Sequence, residues 1–273
     1  MPHLTLTKHH GLGNDFLVVL EPAASIDLAA LAIALCDRRR GIGADGLIAG
    51  YRSGAGGTAG EEPSADQHAP AGTAAPPTRV ITMVLHNADG SRAEMSGNGI
   101  RCLAQAVVDA GWTAEGRFPI LTDAGVRLLD VGPEEAPGLR SASVGMGPAR
   151  VVRLGEGEAE VDTGNPHHVR IVDDPASVDL EAMGAARPDV NVEIVRVDAD
   201  DRVTMRVHER GAGITEACGT GSCAIVAATV AWGMTGRTVT VHNPGGDLTV
   251  TLTGDDATLT GPAQRIATID VEV

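Results

Sequence analysis

The sequence predicts an α+β fold built from two related halves. Short apolar runs rich in β-branched residues dominate the chain, which is typical of strands, and only three stretches have helical spacing: residues 26–37, 100–110 and 223–232. In addition, one unit of strand, loop and helix occurs twice. The 273 residues suffice for one large domain or two of about half that size.

The predicted strands are four to eight residues long, and their content of Val, Ile and Leu separates them from loops. They cover residues 4–7, 16–20, 80–85, 141–144, 149–154, 192–197, 203–207, 238–241, 248–252 and 266–273. Residues 54–77 are almost entirely Gly, Ala, Pro, Thr and acids without an apolar period. This stretch is too polar to bury much surface, so we predict a flexible insertion between two strands.

The internal repeat needs no gap. Residues 82–111 (TMVLHNADGSRAEMSGNGIRCLAQAVVDAG) and 204–233 (TMRVHERGAGITEACGTGSCAIVAATVAWG) are offset by 122 positions and share 9 of 30 residues. Each predicted helix ends at a glycine, as a left-handed cap requires. The apolar pattern predicts one buried face for the first helix, whereas the second is apolar all round and therefore central. We infer that two related halves face each other.

Composition excludes several classes of function. The net charge of −15 and the aromatic content of 2% disfavour nucleic-acid and anionic-membrane partners, which need basic patches and stacking side chains. The sequence has neither an apolar run long enough to span a bilayer nor a secretion signal. Four cysteines are too few for a disulfide scaffold. We therefore expect a cytoplasmic protein with free thiols and a small-molecule ligand.

Both repeats place a small polar residue before a Gly-X-Gly turn that opens a helix: Ser96 in SGNG and Cys218 in CGTG. Glycines allow close approach of a ligand, and the unpaired amides of a first helical turn favour an anion. Two such turns can hold one carboxylate between them. A helix N-terminus also lowers the pKa of a thiol, so Cys218 is a candidate acid/base. The other three cysteines, Cys36, Cys102 and Cys223, are expected to be core thiols.

Two acid/base groups on opposite sides of a bound carboxylate are what inversion at an α-carbon requires, because one removes a proton and the other returns it to the opposite face. Nucleotide and metal sites are less well supported. The hexapeptide GIGADG (41–46) lacks the strand before it and the helix after it that a dinucleotide fingerprint needs. The adjacent histidine pairs at 9–10 and 167–168 point to opposite faces of a strand and cannot chelate. We predict no metal and no cofactor.

Six segments, in order along nearly the whole chain, resemble the signature segments of the diaminopimelate epimerase family. They are GLGNDFLVV (11–19), DRRRGIGADGL (37–47), HNADGSRAEMSGNGIRC (86–102), DTGNPHHV (162–169), ERGAGITEACGTGSCA (209–224) and NPGGDL (243–248). The resemblance implies two pseudo-symmetric domains, each a mixed or antiparallel β-sheet wrapped around a central helix. We expect residues 1–117 with 262–273 to form the N-terminal half and 118–261 the C-terminal half.

The resemblance also implies a cofactor-independent epimerase that interconverts LL- and meso-2,6-diaminopimelate by two-base α-proton transfer, on the route to lysine and peptidoglycan precursors, and that forms homodimers. The catalytic residues it implies are Cys218, Ser96 at the position of the family's other cysteine, and His167. Matching the backbone cradle for the reacting carboxylate are Gly97, Asn98, Gly219 and Thr220. Matching the polar set for the distal amino-acid end are Asn14, Asn87, Asn165, Asn191, Glu209 and Arg210.

Ser96 departs from the family motif, which has CGNG where this chain has SGNG. A hydroxyl is a far weaker acid than a thiol, so three explanations stay open: an engineered exchange, a natural serine assisted by a base such as His167 or Glu94, or a shift to one-sided chemistry. Two alternatives to the epimerase function therefore stay open: a related racemase or dehydratase, and an amino-acid-binding protein with impaired catalysis. The distal polar set argues against a substrate as short as proline, and the intact Cys218 turn argues against a pure binder.

Overall fold

The computed structural model describes residues 3–52 and 80–272. The predicted insertion at 54–77 lies outside the described residues. Strands far outnumber helices, as predicted, and the strand pairings join into one sheet of 17 strands within the described ranges. No helix in these ranges is long and apolar enough to cross a membrane.

The first half of the chain alternates strands with two α-helices. Its elements are β1 (His3–Gly11), β2 (Asn14–Leu20), α1 (Leu28–Cys36), β3 (Gly46–Arg52), β4 (Ile81–Asn87), β5 (Arg92–Ala93), α2 (Gly97–Asp109), β6 (Gly116–Thr122), β7 (Gly125–Ala136) and β8 (Leu139–Pro148).

The second half repeats this order after one further strand. Its elements are β9 (Arg150–Leu154), β10 (Glu158–Asp162), β11 (Pro166–Ile171), a 3₁₀ turn (Pro175–Ser177), α3 (Leu180–Ala185), β12 (Asn191–Ala199), β13 (Arg202–Glu209), β14 (Gly213–Thr215), α4 (Gly219–Ala231), β15 (Thr238–Asn243), β16 (Gly246–Thr253) and β17 (Asp256–Glu272).

The strand pairings show that the two halves are related. In the first half β2 pairs parallel with β3, β3 antiparallel with β4, and β4 parallel with β6. In the second half β11, β12, β13 and β15 pair in the same sense and order. The relation inferred from the repeat is therefore present in the backbone, and the predicted α+β class with pseudo-symmetric halves is confirmed.

The last strand joins the halves. The first part of β17 pairs with β16 and β8, for example Leu259 with Val144. Its second part pairs with β1, where Thr5 faces Asp270. The C-terminal segment therefore returns to the beginning of the chain, although the domain boundaries at 117 and 262 stay a prediction.

The helices α2 and α4 occupy equivalent positions. Both are 13 residues long, and both are followed by a glycine with left-handed backbone, Gly111 (φ 69°) and Gly233 (φ 70°). These two caps confirm the predicted ends. Each helix begins three or four residues earlier than its apolar pattern predicts, because the Gly-X-Gly turn itself forms the first helical turn.

The helix α2 differs from its prediction of one buried face. Every residue from Asn98 to Val107 is buried, including the charged Arg101 and the amide of Gln105. Hydrogen bonds permit this burial. Arg101 donates to the carbonyls of Gly97 (3.0 Å) and Pro262 (3.4 Å), and Gln105 donates to the carbonyl of Gly138 (2.5 Å). Because these partners satisfy the polar groups, strands cover the polar face as well.

Gln105 also bonds a buried histidine, and this pair predicts a pH-dependent stability. His9 Nδ1 lies 3.0 Å from Gln105 Oε1, and burial lowers the pKa of His9 to about 4. The unfolded chain binds a proton at this side chain near pH 6.5, so stability is complete above that pH and is lost as the pH falls towards 4. The loss from this group is about 3 kcal/mol.

The free energy of unfolding of the variant His9→Gln should therefore decline less between pH 6.5 and 4 than that of the wild type. Urea denaturation at a series of pH values measures it. His3→Gln, a change at an exposed histidine of the same strand, is the matched control and should keep the wild-type slope. Equal slopes for His9→Gln and wild type would contradict the assignment.

Candidate active site

The N-termini of α2 and α4 face each other. A Cβ built on Gly97 would lie 3.8 Å from Cα of Gly219, and one on Gly219 would lie 3.7 Å from Cα of Gly97. Because the first amides of a helix have no partner within it, two sets of N–H donors and two positive dipole ends converge here. This arrangement can hold a carboxylate. The predicted cradle residues Asn98 and Thr220 follow the two glycines.

Ser96 and Cys218 are the N-caps of these helices. Ser96 Oγ accepts a hydrogen bond from the Gly99 amide (3.0 Å), and Cys218 Sγ accepts one from the Gly221 amide (3.3 Å). The Thr220 hydroxyl lies 3.4 Å from Cys218 Sγ. The two predicted acid/base positions are thus geometrically equivalent, each at the start of its own helix.

A cavity of about 1030 Å³ opens beside these caps. Ser96 lines it directly, whereas Cys218 is buried and only its neighbour Ala217 lines the cavity. Equivalent positions of the two repeats line this cavity, five from each: Asn87, Ala88, Asp89, Ala93 and Met95 from the first, and Glu209, Arg210, Gly211, Thr215 and Ala217 from the second. The halves therefore face each other across one shared space, as inferred from the repeat.

The cavity carries charges of both signs. Arg38 lines it but already bonds Asp15 (2.6 Å) and Asp45 (2.8 Å). Arg210 is exposed, and within residues 3–52 and 80–272 its guanidinium has no acidic partner. Its backbone amide donates to Asn191 Oδ1 (2.8 Å). An unpaired guanidinium in a cavity rimmed by acids suits a ligand with both carboxylate and ammonium groups.

The predicted amides Asn14 and Asn87 also line this cavity. Asn14 donates to Asp45 Oδ2 (2.7 Å) and accepts from the buried amide of Asn98 (3.3 Å). Asn87 donates to the Ser91 hydroxyl (3.0 Å). Asn14 is therefore the link between the cavity and the first turn of α2. Glu209, which lines the cavity from the second half, accepts from the Thr215 hydroxyl (2.5 Å).

Asn165 and His167 lie apart from this set and line a second cavity of about 340 Å³. His167 is buried; its Nδ1 is 2.6 Å from Glu193 Oε1, and its Nε2 is 3.1 Å from Asn165 Oδ1. Sequence reasoning missed Glu193, which is fully buried. The available signal was a single acid within an apolar strand, NVEIV at 191–195.

The pKa of the Cys218 thiol differs from the prediction of a lowered value. Burial, followed by the negative charges of Glu209 and Glu193, raises its pKa well above the ordinary value. Hydrogen bonds from Thr220 and the Gly221 amide act in the opposite direction but do not prevail. Desolvation and two nearby carboxyl groups therefore outweigh these hydrogen bonds, and the direction of the shift favours the protonated thiol.

The remaining cysteines are buried core thiols, as predicted. Burial raises the pKa of Cys36 to about 11 and those of Cys102 and Cys223 to about 12. None of the three lines either of the two cavities.

Neither base suggested for Ser96 is bonded to it. Glu94 is exposed and lies outside the cavity lining, and both ring nitrogens of His167 have other partners. In the part of the chain that the structure describes, the Ser96 hydroxyl bonds the Gly99 amide alone. The three explanations for the serine therefore remain open, with no assisting side chain in place.

Neither histidine pair belongs to a metal-binding cluster. His9 bonds Gln105 and Thr7, and His167 bonds Glu193 and Asn165. No group of three or more His, Cys, Asp or Glu side chains suited to a metal ion occurs among residues 3–52 and 80–272.

Comparison with known sequences shows which family of proteins the chain matches. The profile of the family described as diaminopimelate epimerase matches residues 6–152 and 160–266. A diaminopimelate epimerase of Pelotomaculum thermopropionicum is 38% identical, over 95% of this chain and 96% of that protein. One of Mycobacterium tuberculosis is 39% identical, over 98% of this chain and 97% of that protein.

Solved structures share the fold at low sequence identity. A phenazine biosynthesis protein of the PhzF family from Bacillus anthracis superposes with a TM-score of 0.72 at 13% identity, over the whole of both chains. A hydroxyproline epimerase from Agrobacterium vitis superposes with a TM-score of 0.63 at 18% identity, over 99% of this chain and 91% of that one. These likenesses show the fold alone.

Proposed function

The chain belongs to the diaminopimelate epimerase family, and from this membership we propose that it interconverts LL- and meso-2,6-diaminopimelate without a cofactor. The observation that carries the proposal is the facing pair of helix N-termini with Ser96 and Cys218 as equivalent caps. The cavity beside them has the volume and the charged groups to bind an amino acid that carries an ammonium and a carboxylate group at each end. Relatives of this name match almost the full length of the chain.

In the proposed reaction the α-carboxylate lies between the first turns of α2 and α4, against the backbone of Gly97, Asn98, Gly219 and Thr220. This position sets the α-carbon between Ser96 and Cys218. Removal of the α-proton puts negative charge on the carboxylate, where fixed amide donors and two helix dipoles stabilise it. A proton then returns to the opposite face, and the configuration inverts.

The distal head of the substrate is recognised by polar groups that line the cavity from both halves. We propose that its guanidinium binds the distal carboxylate and that Glu209, Asn14 and Asn87 bind the distal ammonium. Asn191 acts indirectly, because it holds the backbone amide of Arg210 at 2.8 Å. We also keep Asn165 in the set, acting through its contact with His167 rather than through the main cavity.

A one-sided reaction is the second candidate. The Ser96 hydroxyl accepts from a backbone amide and has no bonded base among the described residues. Such a group is poorly equipped to abstract a proton, whereas Cys218 lies beside two carboxyl groups. Exchange of the α-proton of one stereoisomer without inversion would follow. A binding protein that has lost turnover is the limiting case.

Three finer predictions accompany the proposal. We expect a homodimer, a cytoplasmic location, and a place in the synthesis of lysine and peptidoglycan precursors. The low aromatic content and the net charge of −15 favour a small-molecule substrate over nucleic acid or a membrane. Light scattering of the purified chain would test the dimer.

Proton NMR in deuterated water distinguishes the candidates. An epimerase should introduce deuterium with inversion from both LL- and meso-diaminopimelate, and Cys218→Ala should abolish exchange from both. Exchange from one stereoisomer without inversion would support the one-sided reaction. Exchange at the wild-type rate in Cys218→Ala would remove Cys218 from the reaction. Circular dichroism of the variant is the control for folding.

Replacing Ser96 by cysteine restores the thiol of the family motif. Because a positioned acid/base group contributes about 10²–10⁴-fold, Ser96→Cys should raise the epimerisation rate by a factor in that range. Steady-state kinetics in both directions measure it. Ser96→Ala is the matched control and should not accelerate the reaction; an unchanged rate in Ser96→Cys would exclude this position from the proton-transferring pair.

Arg210 should govern recognition of the distal carboxylate. Loss of a hydrogen bond to a charged group costs about 1.5–3 kcal/mol, so Arg210→Ala should weaken diaminopimelate binding by roughly 10- to 100-fold. Calorimetric titration measures it, with Arg210→Lys expected to be intermediate. Alanine has no distal carboxylate, and its weaker binding should be unaffected. An equal loss for alanine would place Arg210 outside distal recognition.

A further inference from the structure

The two halves differ in the residues behind their capping side chains. A Cβ built on Gly99 would lie 3.1 Å from Ile48 and 3.3 Å from Phe16, beside Ser96. A Cβ built on Gly221, the equivalent glycine, would lie 2.7 Å from Glu193 Oε1 and 3.3 Å from Cys218 Sγ. The Ser96 side is therefore backed by apolar groups, and the Cys218 side by a buried acid.

The strand registers show that these positions correspond. Phe16 on β2 faces Gly46 on β3, and Ile48 lies two residues further along β3. His167 on β11 faces Asn191 on β12, and Glu193 lies two residues further along β12. The pair of His167 and Glu193 thus replaces, in the second half, an apolar pair of the first.

The hydrogen bonds of His167 fix the position of this pair. Its Nε2 donates to Asn165 Oδ1, which also accepts from the Thr163 hydroxyl. Its Nδ1 lies 2.6 Å from Glu193 Oε1, so the ring and the buried carboxyl group are directly hydrogen-bonded. This contact helps to explain how an acid is tolerated at full burial.

The second oxygen of Glu193 is unused. Within the described ranges, Oε2 is buried and has no hydrogen-bond partner. The titratable groups that face Glu193 are His167 on β11 and Glu209 on β13, and both Glu193 and Glu209 act on Cys218 at the start of α4. An unpaired acceptor at this depth costs stability, and this carboxyl group therefore has the capacity to accept a proton.

We propose that Glu193, held by His167, accepts the proton of Cys218 when the thiol becomes the base, and so equips only the Cys218 side of the site for proton abstraction. The S–H bond breaks, an O–H bond forms on the Glu193 carboxyl group, and the negative charge moves to Sγ. There the Gly221 amide and the N-terminus of α4 stabilise it. No proton leaves the buried cluster. The inference rests on the proposed function only for the identity of the substrate.

Burial raises the pKa of the Glu193 carboxyl, which favours its protonated form and agrees with this direction of transfer. Glu193 is a positioning and proton-holding residue in this scheme and does not contact the substrate. An internal transfer has a distinctive consequence for pH dependence. Because the total number of protons is unchanged, the thiolate form made in this way has a population that does not vary with pH while the cluster keeps its protons.

Alkylation of Cys218 by iodoacetamide tests the inference without any substrate. The rate is followed from pH 6 to 8 by the mass of the peptide that contains Cys218. Wild type should show a rate that is independent of pH. Glu193→Gln keeps the size and polarity of the side chain but cannot take the proton, so its alkylation rate should fall about tenfold for each unit by which the pH is lowered. At pH 7 the kcat of α-proton exchange should fall about 10²–10⁴-fold in this variant, with KM unchanged.

Two other results would overturn the inference. If Glu193 acts only through its charge, Glu193→Gln removes a negative neighbour and Cys218 alkylates faster at every pH. If the two proteins give the same profile, Glu193 has no part in the protonation of Cys218. Glu193→Asp, which keeps a carboxyl group, should recover part of the pH-independent rate. Ile48→Val, the conservative change at the equivalent position of the first half, is the matched control and should keep the wild-type profile.

Infrared difference spectroscopy gives a second test in the unaltered protein, in case Glu193→Gln does not fold. Binding of diaminopimelate should produce the C=O band of a protonated carboxylic acid, and this band should be absent from Cys218→Ala. Binding without the band would overturn the inference. Failure of the proposed function would instead appear as missing epimerisation while the alkylation profiles still separate wild type from Glu193→Gln.

Discussion

The placement of two helix N-termini against each other inside the molecule is the constraint on which the structure depends. Unpaired amides and positive dipole ends are unfavourable when buried together, so each turn needs a cap and the space between them needs an anion. Ser96 and Cys218 supply the caps. The anionic group would come from a bound ligand. The same geometry that creates the electrostatic cost therefore favours binding of an anion such as the proposed carboxylate.

The sheet holds the helices in this position, and buried polar contacts complete the fixation. Arg101 connects the first turn of α2 to the last strand through Gly97, Asn98 and Pro262. Burial lowers the pKa of its guanidinium to about 10, which shows how strongly it is desolvated. The equivalent position of α4 is Cys223, a small thiol. Only one of the two turns is therefore anchored by a buried cation.

The two halves share their backbone arrangement but differ in individual side chains at the candidate site. The equivalent loops line the same cavity, yet Asn87 and Ala88 of the first correspond to Glu209 and Arg210 of the second. The charged pair proposed for the distal head, Glu209 and Arg210, thus lies on one loop. A duplicated frame permits this division, because each half keeps its fold while individual side chains diverge. The buried pair of His167 and Glu193 follows the same pattern, because it occurs in the second half and has an apolar pair in its place in the first.

Sequence by itself determined the class of fold, the two related halves, both glycine turns and the capping residues, because each leaves a local pattern: short β-branched runs, an ungapped repeat and Gly-X-Gly after a small polar residue. Strands without such a pattern were missed. The hairpin strand β7 is mostly exposed, and β6 and β11 contain Pro119 and Pro166. Tertiary structure alone decided that the polar face of α2 is buried, that the pKa of Cys218 is raised, and that the buried Glu193 acts on it. All three depend on desolvation by residues distant in the chain, and no local pattern records what a distant strand will cover.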